Sequence, residues 1–170
     1  MKGVLGFVLL ALVCVVVTMT RAQPVVIYNP SQSVPSGFYL RRSEPPRRGD
    51  FVTVAAASVA PEYAALRGYA DTSDRFLKRV AATEGQVVCA LDEMLSIDGA
   101  QTATRMERDA EGRALPAWRG CRRLGADELF LLGDTDDSFD GRYWGPTPIR
   151  LIEGTWRPLG LLTIPEQRAF

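Results

Sequence analysis

The sequence predicts a mainly β, antiparallel domain hung on one N-terminal transmembrane helix. Three features carry that expectation: an uncharged apolar run at the amino end, short Val/Leu/Phe-rich segments broken by Gly and Pro through the rest, and a single stretch with helical signals. At 170 residues and 46% hydrophobic content the chain suits one exported domain with a real core. Its 20 basic and 20 acidic side chains cancel, which removes the broad positive field of a nucleic-acid binder, so no nucleic-acid partner is expected.

Gly3 to Met19 carries no charge and follows Lys2. At ~1.5 Å per residue such a run reaches roughly 25 Å, the lower end of what spans a bilayer. Residues 3–19 therefore read as a retained anchor. A cleaved signal peptide is the rival, because Thr20-Arg21-Ala22 weakly resembles a small-x-small cleavage site, but the run exceeds the usual signal core. Both readings put residues 23–170 outside the cytoplasm. Arg21 balances Lys2, so flanking charge does not orient the segment. Cys14 lies within the run as a small hydrophobe. Cys89 and Cys121 either pair, as an oxidising compartment permits, or remain buried thiols. A bridge there would stabilise by about 3–4 kcal/mol in the chain-entropy model.

Val25–Tyr28 reads as the first strand, followed by a turn-rich segment ending at Gly37. Phe38–Arg41 and Phe51–Ala56 come next, separated by Pro45-Pro46-Arg47-Arg48-Gly49-Asp50. Pro61–Tyr69 is the credible helix, with Pro in its first turn and Gly68 near its end. Phe76–Ala81 and Gln86–Ala90 flank Gly85. Met94–Ile97 and Ala103–Arg108 flank Asp98-Gly99, a hairpin signal. Glu128–Leu132 and Ile149–Ile152 complete the strands of an antiparallel, barrel-like domain.

The chain has no histidine, which excludes Ser-His-Asp and Cys-His catalysis and every His-containing zinc site. Three cysteines cannot make a four-Cys site either. A protein nucleophile would need a carboxylate, an amine or a tyrosine as its base. Lysine is informative here because only Lys2 and Lys78 are lysines and every other basic residue is arginine. Arginine does not release its proton, whereas a desolvated lysine does. Alternation in Phe76-Leu77-Lys78-Arg79-Val80 puts Lys78 on one face with Phe76 and Val80, an apolar setting that lowers an amine's pKa. A leftover surface lysine is the plain alternative.

Two further segments carry polar chemistry. Ser31-Gln32-Ser33-Val34-Pro35 holds two hydroxyls in a turn directly after a strand, where a side chain can be presented rigidly, although turn serines are common. Gly133 to Arg142 alternates Asp134, Asp136, Ser138 and Asp140 in the manner of a calcium loop. That template wants Gly where Phe139 stands and an acidic residue where Gly145 stands, so no metal is expected. Arg48-Gly49-Asp50 reads as a turn leading into the Phe51 strand.

Taken in order, the Ser31–Pro35 segment, Arg48-Gly49-Asp50 with its strand, Leu77-Lys78-Arg79-Val80 followed by Gly85, and Gly133-Asp134 through Ser138-Phe139-Asp140-Gly141-Arg142-Tyr143 resemble the successive boxes of the Ser/Lys signal peptidases. The short chain, with Ser33–Tyr39, Gly112–Pro116, Trp118–Cys121 and Ser138–Pro146, is similar to the conjugative-transfer, TraF-type branch, which matures pilin precursors. The resemblance runs from about Tyr28 to Pro146.

The resemblance implies a signal-peptidase-like β domain working as a membrane-anchored serine endopeptidase without a cofactor. Ser33 would be the nucleophile and Lys78 the general base. Ser31 would help the Ser33 backbone N–H hold the oxyanion, Ser138 would orient the lysine amine, and Asp140 with Arg142 would support the site. Arg48 and Asp50 match a supporting strand box with a structural role. It further implies a pilin-type precursor as substrate, the conjugative secretion machinery as partner, and a single pass through the inner membrane with the catalytic domain in the periplasm. Some members of the branch join pilin ends into a ring, and these residues do not distinguish that outcome from hydrolysis. Thr135-Asp136-Asp137 replaces the Asn-Arg-Asp-Asn favoured by general signal peptidases, and their large inserted domain is missing. The other expectations are a general type I signal peptidase and a non-catalytic, membrane-tethered β module.

Overall fold

A computed structural model describes residues 23–69 and 74–160. The expected anchor at residues 3–19 and Cys14 lie outside the described residues, and among these no helix is long and apolar enough to cross a membrane. The elements are β1 (Val26–Asn29), β2 (Gly37–Arg42), β3 (Phe51–Ala55), α1 (Ala56–Val59), α2 (Pro61–Leu66), β4 (Arg75–Ala82), β5 (Val87–Leu91), β6 (Met94–Ile97), β7 (Ala100–Thr104), β8 (Gly120–Arg123), β9 (Glu128–Leu132), α3 (Gly141–Trp144), β10 (Thr147–Pro148) and β11 (Ile152–Pro158).

Among the described residues all strand pairs are antiparallel, in two sheets: a large one ordered β1-β2-β11-β3-β4-β9-β10 and a small one ordered β7-β6-β5-β8. β3 sits centrally because its β-branched and aromatic residues can be buried on both faces. Phe51 packs with Val34, Tyr39, Leu77 and Trp156. Val52 and Val54 pack with Val80, Leu129 and Leu131. A third cluster joins the sheets: Ala82 of β4 and Phe130 and Leu132 of β9 meet Val88, Ala90, Leu95 and Ile97 of the small sheet.

β4 is the strand that places the chain's buried lysine. Its alternation holds, with Val52 opposite Lys78 and Thr53 opposite Leu77 across the β3 pairing. β9 covers only its C-terminal part, from Arg79 to Ala82 through a register shift. Beyond Arg79 the edge of β4 at Phe76–Lys78 instead lines a cleft.

The structure amends several boundaries. Asp98 and Gly99 have φ of 51° and 82°, the pair of positive values a two-residue hairpin turn requires. The tight turn brings Ala100 opposite Ile97 at once, so the return strand is Ala100–Thr104 rather than Ala103–Arg108. The helix begins at Pro61 as expected but ends at Leu66, before Gly68 at φ 73°. Ile149–Leu151 forms a 3-10 turn, and the strand follows it at Ile152–Pro158. Cys89 lies opposite Cys121 in the β5–β8 register and the two sulfurs are bonded, which decides between the bridge and free thiols.

Candidate active site

The hairpin of β1 and β2 closes on the pair Asn29–Gly37, and the loop between them carries Ser31 and Ser33. Val34 is fully buried and plugs the core beneath the loop. Asn29 Oδ1 accepts from the Ser31 N–H at 3.2 Å. Its Nδ2 faces the carbonyls of Ser31, Val34 and Pro35 at 2.9, 3.3 and 3.2 Å. The Tyr39 hydroxyl donates to the Pro35 carbonyl at 2.5 Å, and burial pushes that phenol up to about 12. The Ser33 carbonyl accepts from the Asp134 N–H at 2.6 Å, tying the turn to the second polar loop.

Lys78 reaches this turn from β4. The side chain is only 4% exposed, and its Nζ lies 3.0 Å from Ser33 Oγ and 2.9 Å from Ser138 Oγ. Burial lowers its pKa from 10.5 to about 8; Arg142 also lowers it, while Asp140, Asp137 and Asp134 pull the other way. No carboxylate salt bridge of Lys78 is formed among the described residues. An amine in this state is neutral in an appreciable fraction of molecules near neutral pH. Its lone pair can then take a proton from the adjacent hydroxyl. The Ser31 hydroxyl completes the group, donating to Ser33 Oγ at 3.1 Å and accepting from the Ser33 N–H at 3.2 Å.

The loop from Gly133 to Asp140 is held by a buried ion pair. Arg142 Nε and Nη2 donate to the two Asp140 oxygens at 2.9 and 2.7 Å, and both side chains are essentially inaccessible. Asp140 also caps α3 through the Arg142 N–H and accepts from the Gly133 N–H at 2.7 Å. The remaining Arg142 donors go to the carbonyls of Thr104, Asp136 and Thr135. Every lone pair and proton this pair buries is used, the condition under which a buried charge pair is tolerated. Phe139 is stacked on Tyr63 of α2 at 3.5 Å and on Tyr143 at 5.0 Å, which fixes its neighbour Ser138. Gly133 leaves no space at all: a Cβ there would stand 2.0 Å from Ser138 Oγ and 2.8 Å from the Ser33 carbonyl.

Ser31, Ser33, Lys78, Ser138, Asp140 and Arg142 thus gather at one place, beside a cleft of about 950 Å³ lined by Asn29, Ser31, Ser33, Phe76, Lys78 and Ser138 among others. Two of the alternating carboxylates of this loop go into ion pairs, Asp134 with Arg79 at 2.6 Å and Asp140 with Arg142. Asp50 of the Arg-Gly-Asp turn accepts from Arg42 and from the Arg47 N–H, so it pins the entry to β3. The sequence assigns no role to Asn29, Tyr39 or Gly133, although Tyr39 and Gly133 lie inside the segments that carry the family resemblance. For Asn29, its place directly before Pro-Ser was the available signal.

The sequence profile described as signal peptidase, peptidase S26, matches residues 1–159 of the chain. Two proteins from Escherichia coli, each named plasmid transfer protein TraF, are similar to it at 31% and 29% identity over 142 residues, 77% of this chain and 80% of theirs. A signal peptidase I from Enterococcus faecalis V583 is a structural neighbour at TM-score 0.40 and 21% identity, covering 65% of this chain and 96% of that one. On the match over nearly its whole length, the chain belongs to the signal peptidase family, peptidase S26.

Proposed function

We propose that this chain is a Ser/Lys endopeptidase that processes pilin-type precursors for conjugative plasmid transfer, anchored by residues 3–19 in the inner membrane with its catalytic domain in the periplasm. The observation that carries the reading is the buried Lys78 amine, with its pKa brought down to about 8, 3.0 Å from Ser33 Oγ. The TraF relatives, named as plasmid transfer proteins, support the conjugative setting.

Neutral Lys78 takes the Ser33 proton as Oγ attacks the scissile carbonyl. The new Oγ–C bond replaces the C–N bond, and the lysine ammonium hands its proton to the departing amine. Lys78, neutral again, deprotonates the water or amine that attacks the acyl group, and returns that proton to Ser33 Oγ as the Oγ–C bond breaks. Ser138 holds Nζ in line through its 2.9 Å contact. Without substrate, the Ser33 N–H donates to Ser31 Oγ and the Ser31 hydroxyl donates to Ser33 Oγ. An incoming carbonyl oxygen displaces both contacts and takes the two donors as its oxyanion hole. The β4 edge at Phe76–Lys78, beyond the end of β9 pairing, offers main-chain groups to an extended peptide as an added strand.

Co-expression with the pilin precursor, followed by mass spectrometry of the product, tests the reading. Wild type converts the precursor, and Ser33→Ala and Lys78→Arg leave it at full mass. Lys78→Arg keeps the charge but not the titratable amine, so processing by that variant overturns the base assignment. A product lighter than the cleaved linear chain by one water identifies ring closure.

A further inference from the structure

Among the described residues, Asn29 makes more contacts to the nucleophile turn than any other side chain there. It is buried, 7% exposed, at the last position of β1, and loop 30–36 wraps around it before rejoining the strand pair at Gly37. One amide occupies the hollow of the loop. Its oxygen accepts from the Ser31 N–H, and its nitrogen lies within 3.3 Å of three carbonyls, those of Ser31, Val34 and Pro35, on either side of Ser33. Both N–H groups and the acceptor are therefore committed. The curvature of the backbone from Ser31 to Pro35 sets where the Ser33 N–H and Oγ point. No other side chain among the described residues grips both ends of that arc: Tyr39 reaches only the Pro35 carbonyl, and Asp134 touches only Ser33 through its backbone.

We propose that Asn29 is a positioning residue for acyl transfer: its amide gathers the Ser31, Val34 and Pro35 carbonyls and thereby aims the Ser33 hydroxyl and N–H at one carbonyl carbon and its oxygen. The proposal rests on the Ser/Lys reading of the site. The Asn29 amide makes no hydrogen bond to Lys78; its hydrogen bonds go to the turn, and it acts through it. The effect belongs in kcat, because the alignment matters most once charge develops on the oxyanion, and displacement of a reacting group by about 1 Å costs roughly 10²-fold. The two functions of the amide can be separated. Aspartate preserves the acceptor for the Ser31 N–H but sets a carboxylate against three carbonyl oxygens, whereas alanine removes both functions.

The test uses the full chain in detergent, a synthetic peptide spanning the precursor cleavage site, and mass-spectrometric end-point titration with a serine-acylating inhibitor to count competent sites. Asn29→Ala lowers kcat per titrated site by about 10²-fold. Its KM stays within about twofold of wild type and the acid limb of the pH profile does not move, since Lys78 is untouched. Asn29→Asp is no better than Asn29→Ala. Should Asn29→Ala not fold, Asn29→Ser retains one small donor and carries the same kcat comparison. Wild-type kcat per titrated site in a folded Asn29 variant overturns the proposal, as does tenfold recovery by aspartate over alanine. Turnover by Ser33→Ala would instead overturn the Ser/Lys reading, so the two failures are distinguishable.

Discussion

Replacing Lys78 with methionine should cost all activity and change how stability depends on pH. The wild-type amine titrates at about 8 in the folded protein against 10.5 for an ordinary lysine, the value it recovers when the chain unfolds. Its folded pKa is therefore depressed, and between those two values the unfolded chain binds a proton that the folded chain does not. Stability must rise with pH across that window, by about 1.4 kcal/mol per unit, and the whole interval corresponds to about 3 kcal/mol. Below pH 8 the folded protein carries the burial cost of the ammonium in full; methionine, of similar length and apolar, carries none. Urea unfolding of wild type and Lys78→Met from pH 7 to pH 10.5 isolates the effect, because groups common to both proteins cancel in the difference. We expect wild type to gain about 3 kcal/mol relative to Lys78→Met over this range. A flat difference would refute the reasoning, since it would mean that the amine is as easily charged in the fold as in water.

Activity should follow the same titration. With a base at about 8, kcat/KM rises with pH and levels off above about pH 9, and at pH 7 stands at roughly a tenth of its plateau; a rate already flat from pH 6 would exclude Lys78 as the base. Gly133→Ala should lower turnover by at least about 10²-fold, because its methyl would collide with Ser138 Oγ and the Ser33 carbonyl at once. Steady-state kinetics on the folded variant check this, and wild-type kcat would show that the two loops can part without consequence. Replacing Cys89 and Cys121 together by serine should reduce unfolding free energy by about 3–4 kcal/mol, given the 32-residue separation that the bridge closes. Denaturant midpoints measure it, and a loss under about 1 kcal/mol would show that the β5–β8 pairing already constrains the chain.

Much of the strand layout was legible because apolar residues mark it. β3, β4, β6 and β9 lie where Val, Leu, Ile and Phe cluster, and Lys78 falls on the Phe76 and Val80 face that alternation assigns. The elements that were displaced, β7 and β11, or missed, β8, lack that mark. β7 and β8 are mostly exposed and polar, so nothing apolar announces them. β11 carries Gly154 and Pro158, residues that read as breaks, yet it pairs with both β2 and β3. The site was legible as residue types in an order, and Ser31, Ser33, Lys78, Ser138, Asp140 and Arg142 do converge. What holds it was not. Asn29 and Tyr39 act through main-chain carbonyls several residues away, and Gly133 acts by having no side chain, neither of which a local pattern encodes.

Arg142 extends one guanidinium to the end of the disulfide-bearing sheet, at the Thr104 carbonyl, and to the loop that carries Ser138, at Thr135, Asp136 and Asp140. The two regions consequently share a fastening, and neither can fray without exposing a buried cation. Heating should release amide protection around Ser138 and around Thr104 together, and catalysis should vanish in the same step rather than fade ahead of it.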